Sequence, residues 1–199
     1  ALVEAPDDGS TWKDLVIRVL RKRAELQLKL RRVPEALQDL QMAAEALGDD
    51  VHHPERPRLR LILGQLHLFQ GYPNKGIRAL EEGLQMVAPE GPGSSRRDQA
   101  GLLLELGRAQ GQRAQFQRAI ATLQAAQRLL EHDQDLARIT EVGISLATLH
   151  MGMGQSDVAY AHMKDAFKTA RLLEDLRLQA ECHLSTGSFR SVEQSLGPA

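Results

Sequence analysis

One cysteine in 199 residues, Cys182, leaves no partner for an internal disulfide. No disulfide framework closes this fold, and a reducing compartment, the cytoplasm, is the expected setting. Aromatic residues supply only 4% of the chain, so the core must be built from Leu, Ala, Ile and Met. No run of about eighteen apolar residues occurs, which removes a transmembrane helix, and no basic stretch leads into an apolar one as in a signal peptide. Neither sign of charge prevails. Lys and Arg number 25 against 26 Asp and Glu, for a net charge of −1, which speaks against a general polyanion binder. A basic cluster near the start (Lys13, Arg18, Arg21, Lys22, Arg23, Lys29, Arg31, Arg32) has no interleaved aromatics for base stacking. It is read as the solvated face of a first helix, so no nucleic acid is expected as partner.

What the chain does have is repetition. Leu63-Gly64 is followed by Gly76, Leu80 and Gly83, and Leu106-Gly107 by Ala119, Leu123 and Ala126 at the same offsets. Leu146-Ala147 is followed by Ala159, Met163 and Ala166, and Arg23-Ala24 by Ala36, Leu40 and Ala43. The anchors Ala24, Gly64, Gly107 and Ala147 stand 40, 43 and 40 residues apart. The first block of each unit carries apolar residues at helical spacing around a small residue, where another helix can come close. A break follows (Gln70-Gly71-Tyr72-Pro73-Asn74 in the second unit), with proline suited to the first turn of the next helix. The second block places small, large and small residues on one face, so that two helices can close as a hairpin.

These residues resemble the tetratricopeptide repeat family, whose pattern is Leu-Gly/Ala in the first helix, a turn, then small-x3-large-x2-small in the second. The segments LGQLHLFQGYPNKGIRALEEGLQMV and LGRAQGQRAQFQRAIATLQAAQRLL fit without a gap, and LATLHMGMGQSDVAYAHMKDAFKTA fits with Ala147 for the glycine. The first unit departs most, with Arg23 where Leu is expected, and the consensus Trp is replaced by Leu20, Arg60, Leu103 and Gly143. The fold this resemblance implies is all-α, a right-handed superhelical array of antiparallel helix pairs. A single solenoid over 1–199 is expected, with repeats at about 17–50, 57–90, 100–132 and 140–172 and a partial one at 173–199. That fifth unit is placed on Ala180, with its turn at Gly187-Ser-Phe189 and a second helix begun by Val192 and Leu196. The missing initiator Met and the end at Gly197-Pro-Ala199 read as a piece of a longer protein. Gly48-Asp-Asp-Val-His-His-Pro54 and Pro89-Glu-Gly-Pro-Gly-Ser-Ser95 are the expected linkers.

Chemistry is sparse. Gly91-Pro-Gly-Ser-Ser95 lacks the lysine and the preceding strand of a phosphate loop, and Gly152-Met-Gly154 lacks a third glycine. His67, His150 and His183 each stand three residues after a small anchor, a packing position inside the hairpin, and are too far apart to share an ion. His52, His53 and Glu55 share a loop, yet a functional metal is not expected there. Cys182 is read as an inert packed thiol. No nucleophilic triad, carboxylate pair or metal-protease pattern stands in supporting context, so the chain is expected not to be an enzyme and to need no cofactor.

The resemblance places ligand contacts on the first helix of each pair. Carried over, the positions are Arg18, Arg21, Glu25 and Lys29; Arg58, Leu61, Gln65, Leu68 and Phe69; Leu104, Arg108 and Gln112; Glu141, Ile144, Thr148 and Met151; and Arg177 and Glu181. One subset of the family clamps a C-terminal carboxylate, and its five clamp positions here hold Arg21, Glu25, Ile62, Gly101 and Glu105. A glutamate beside a carboxylate repels it, so that clamp is rejected. The expected function is a non-catalytic scaffold binding, in its concave groove, a protein or peptide with apolar anchors and some acidic residues. Two alternatives are a ligand- or peptide-sensing domain of a larger signalling ATPase or transcription regulator, and a homotypic module dimerising through array ends.

Overall fold

In the computed structural model, residues 9–87 and 96–196 are described, and the linker Pro89–Ser95 and the terminal Gly197-Pro-Ala199 lie outside them. Among the described residues there are nine helices and no strand: α1 (Gly9–Lys29), α2 (Val33–Leu47), α3 (Glu55–Phe69), α4 (Pro73–Met86), α5 (Arg96–Gln112), α6 (Phe116–His132), α7 (Leu136–Gly152), α8 (Ser156–Leu172) and α9 (Leu176–Leu196). Pro34 and Pro73 sit in the first turns of α2 and α4, where the missing N–H breaks no helical bond.

The turns inside the pairs share one device. Arg31, Gly71, Ala114 and Gly154, each seven residues after its anchor, hold positive φ of 59°, 79°, 56° and 74°. A left-handed residue there lets the chain reverse after the helix ends. Two of the four turns use glycine, and Arg31 and Ala114 adopt the same geometry against the preference of their side chains. A second recurrent turn leads into α7 and α9. Gln134 and Glu174 have positive φ of 52° and 53°. The next residue then caps the helix: Asp135 accepts the Arg138 N–H (3.2 Å) and Asp175 the Leu178 N–H (3.0 Å).

This matching turn corrects the reading of the fifth unit. Asp175 lies 40 residues after Asp135, so the small residue equivalent to Ala147 is Gly187 and not Ala180. No turn forms at Gly187-Ser-Phe189, because α9 runs unbroken through it to Leu196. In the same register Cys182 matches Val142, and both are buried. His183 consequently leaves the series of His67 and His150. It is exposed, edge-on to Phe167 with ring centroids 4.8 Å apart.

Helix contacts divide the chain into two compact units, Ala1–Asp98 and Gln99–Ala199. In the first, Ile17, Ala24, Ala36, Leu40, Ala43, Leu47, Leu59, Ile62 and Leu66 form one core across α1, α2 and α3. The small anchor has a measurable role between α3 and α4. A Cβ added at Gly64 would lie 2.6 Å from Leu80 Cγ, and one at Gly76 would lie 2.8 Å from Leu68 Cγ. Hydrogen in place of methyl is what allows that approach.

The irregular Arg23 also finds its reason here. Its guanidinium grips Asp39 of α2 with two of its three nitrogens, Nε donating to Oδ2 at 2.7 Å and a terminal nitrogen to Oδ1, while Asp39 is 2% exposed. The repeat-equivalent pair in the next hairpin is Leu63 and Ala79. An ion pair has replaced an apolar pair at one position of the repeat. The second unit carries two cores. One centres on Leu123, Leu130, Val142 and Leu146, and the other on Ala147, Met163, Ala170, Leu178 and Cys182.

Candidate functional site

The arginines nominated from the sequence are engaged within the fold. In the first unit Glu55, 3% exposed, sits between two of them: Arg21 Nε donates to Oε2 at 2.5 Å and Arg58 to Oε1 at 2.6 Å. Arg58 also holds Asp98 at 2.9 and 3.0 Å. Burial alone would lower the Arg58 pKa, but Asp98 and Glu55 outweigh it and raise it. The Glu55 carboxylate is thereby turned away from His53, which accepts the Glu55 backbone N–H on Nδ1 (3.2 Å) and sets its Nε2 3.0 Å from Asp14. Among the described residues no group of three His, Cys, Asp or Glu is placed to hold a metal ion.

Glu25 collects Lys22 (3.2 Å), Lys29 (3.6 Å) and Arg21 (3.7 Å). Burial pushes its carboxyl pKa up, yet the three cations prevail and hold it below the usual range. Arg18 is exposed, with Nε 3.4 Å from the Asp14 carbonyl oxygen. Leu61 and Gln65 are half-buried on α3, and Phe69 is exposed with the Arg31 guanidinium over its ring at 5.4 Å.

The second unit contains a cleft of about 430 Å³ among α5, α6, α7 and α9, and five nominated residues line it: Arg108, Gln112, Ile144, Thr148 and Glu181. Leu104 is buried in the neighbouring core. The floor is apolar, formed by Phe116, Leu123, Ile144 and Leu149. Two glycines let the floor side chains pack close against their helices. A Cβ on Gly111 would run into Leu149, and one on Gly152 would come within 3.2 Å of the Phe116 ring.

The rim is polar and carries both signs of charge. Arg108 donates to Ser145 Oγ at 2.9 Å and to Glu105 at 3.1 Å, and its other nitrogen stands 4.0 Å from Glu181. Ser145 in turn donates to the Glu141 carbonyl oxygen at 2.8 Å. Arg177 bridges Glu141 at 2.6 Å and Glu181 at 3.3 Å, and these contacts raise its pKa. Thr148 and Gln112 lie exposed beside the opening.

Sequence reasoning missed Phe116, Gly111, Gly152, Ser145 and Ser185 as lining residues. Gly111 and Gly152 lie outside the repeat's small positions, which was the available signal. The rest depends on which helices meet. Among the described residues lining the cleft no nucleophile–base pair is assembled. The lining offers apolar area and a fixed set of donors and acceptors.

No protein-family model matches this chain, and no curated protein is similar to it in sequence. Solved structures are similar in fold. Aspartyl phosphate phosphatase F from Bacillus subtilis superposes with a TM-score of 0.72 at 14% identity, over 87% of this chain and 45% of that one. The apo form of RapI gives 0.72 at 7% identity, over 90% and 64%. The APC/C hetero-tetramer Cut9–Hcn1 gives 0.65 at 16% identity, over 83% and 29%. This chain thus spans less than two thirds of each of them. The neighbours contain tetratricopeptide repeats, and the fold of this chain is tetratricopeptide-like, of the all-α superhelix class. No helix among the described residues is long and apolar enough to cross a membrane.

Proposed function

We propose that the chain is a non-catalytic interaction scaffold that seats a segment of another protein in the cleft among α5, α6, α7 and α9. The observation that carries this reading is the cleft itself: an apolar floor, two of whose side chains pack tightly against Gly111 and Gly152, beneath a rim of Arg108, Glu181 and hydroxyl side chains. The floor takes an apolar anchor residue, whose burial supplies most of the affinity. Arg108 selects an acidic group next to that anchor, in competition with its partners Glu105 and Glu181. One structural neighbour, Cut9, occurs in a hetero-tetramer with Hcn1, in keeping with a scaffold built on this kind of fold.

The test is selection of random dodecapeptides on the wild-type chain, with counter-selection on a Thr148→Arg/Ser185→Arg variant that fills the opening from exposed or half-buried positions. Enriched sequences should share an apolar residue beside an acidic one and should not bind the variant. Sequences that bind both proteins equally would refute the cleft as the site. The cleft volume also lies within the range of small-molecule pockets, which supports the sensing alternative. A metabolite that raises the Tm of the wild type but not of the variant would favour it.

A further inference from the structure

The repeat register exposes a second surface, in the first unit. In α3, Leu59 and Leu66 are buried, and α2 covers that face through Leu40 and Leu47. In α7, the equivalent Val142 and Leu149 are buried beside Leu123, Ala126 and Leu130 of α6. In α1 the same two positions are Val19 and Leu26, each 40 residues before its α3 counterpart, and they are 55% and 56% exposed. Trp12, at 70% exposure, Leu15 and Val16 extend the stripe at helical spacing along α1, and Leu30, the residue after its end, is exposed as well. An apolar stripe of this length on a solvated helix marks an interaction site, and the internal repeats specify what kind of surface covers it: another helix.

Charge specifies that helix further. One edge of the stripe carries Arg18, Lys22 and Lys29, all exposed, and the two lysines share a single carboxylate, Glu25. Arg23 stands half-way along the stripe, between Val19 and Leu26, but its guanidinium is held by Asp39 of α2, so the basic edge is that of Arg18, Lys22 and Lys29. The helix that covers the equivalent face of α3 is α2, which contains Glu35 and Glu45, besides Asp39 held by Arg23 of α1, and no basic residue. A second copy of the chain would bring the same basic edge against itself, which like charges oppose.

We propose that the outer face of α1 is a docking site for an acidic amphipathic helix presented by another protein. The sole tryptophan, Trp12, lies on this face and reports its occupancy. The probe is a stapled helical peptide with the α2 sequence VPEALQDLQMAAEAL, added to the whole chain. Binding should shift Trp12 emission to the blue. Val19→Asp/Leu26→Asp, both at exposed positions so that the fold is retained by circular dichroism, should weaken binding at least about tenfold. A Thr148→Arg variant, altered only at the cleft, should bind the probe as the wild type does. A charge-reversed probe with Lys in place of its acidic residues should bind more weakly. No shift with the acidic probe, equal binding of the reversed probe, or a Trp12 shift that follows the chain's own concentration-dependent dimerisation without any probe would each overturn the proposal.

Discussion

Replacing Arg23 by leucine should cost more than replacing its partner Asp39 by alanine, although both remove the same ion pair. The difference follows from where each group sits. Asp39 is 2% exposed, whereas the Arg23 side chain is 54% exposed. Arg23→Leu therefore leaves a carboxylate buried and uncompensated, a situation that costs about 3–5 kcal/mol. Asp39→Ala leaves a guanidinium that swings into water, and the loss is about that of one charged hydrogen bond, 1.5–3 kcal/mol at most. The double variant copies the Leu63–Ala79 pair of the next hairpin and should recover most of the loss. For a chain of this size each kcal/mol moves Tm by about 2–4 °C. Because repeats can unfold unit by unit, urea melts should be followed by far-UV circular dichroism and by exchange of the α1 and α2 amides. Two results would refute the reasoning: Arg23→Leu no more harmful than Asp39→Ala, or a double-mutant cycle with no coupling between the positions.

Other outcomes follow from single positions. Gly64→Ala would put a methyl 2.6 Å from Leu80 Cγ. Overpacking costs about 1–3 kcal/mol against roughly 0.5–1 gained in helix propensity, so thermal melts should show a net loss. Adding Leu80→Met, which copies Ala147 and Met163 of the α7–α8 hairpin, should relieve it. Ala114→Gly should stabilise by about 1 kcal/mol in urea melts, since the residue holds a left-handed turn that Gly71 and Gly154 hold elsewhere. His162 stacks on His150 with centroids 5.4 Å apart, and burial together with that neighbour holds its pKa below the ordinary 6.5, against the pull of Asp165. The unfolded chain therefore takes up this proton first as the pH falls. Stability contributed by neutral His162 is present above about pH 6.5 and is lost below it until the folded group also protonates. His162→Gln should flatten that part of the Tm–pH profile relative to wild type.

The helical pairs were legible in the sequence because hairpin packing is local. Gly64, Gly76 and Leu80 lie within seventeen residues of one another, and helical periodicity puts them on facing surfaces whatever the rest of the chain does. The register of α9 was legible in principle. Gln134-Asp135 and Glu174-Asp175 stand at the same 40-residue offset as the anchors, but a short polar turn is a weaker cue than a small residue such as Ala180. The fate of the arginines was not legible. Arg58 meets Asp98 and Arg108 meets Ser145 across 40 and 37 residues, and nothing in local pattern distinguishes a guanidinium that binds its own fold from one that awaits a ligand.

The sequence by itself thus determined the helices, their pairing and the small residues at their crossings, since these follow from side-chain size and a period of 3.6 residues. Only the tertiary structure decided which charges are already paired, that Leu149 and Phe116 pack against Gly111 and Gly152 to floor a cleft, and that Val19 and Leu26 lie bare where their repeat equivalents are covered. Those outcomes depend on which helix lies next to which, and that neighbour is chosen by the packed array and not by any single unit of it.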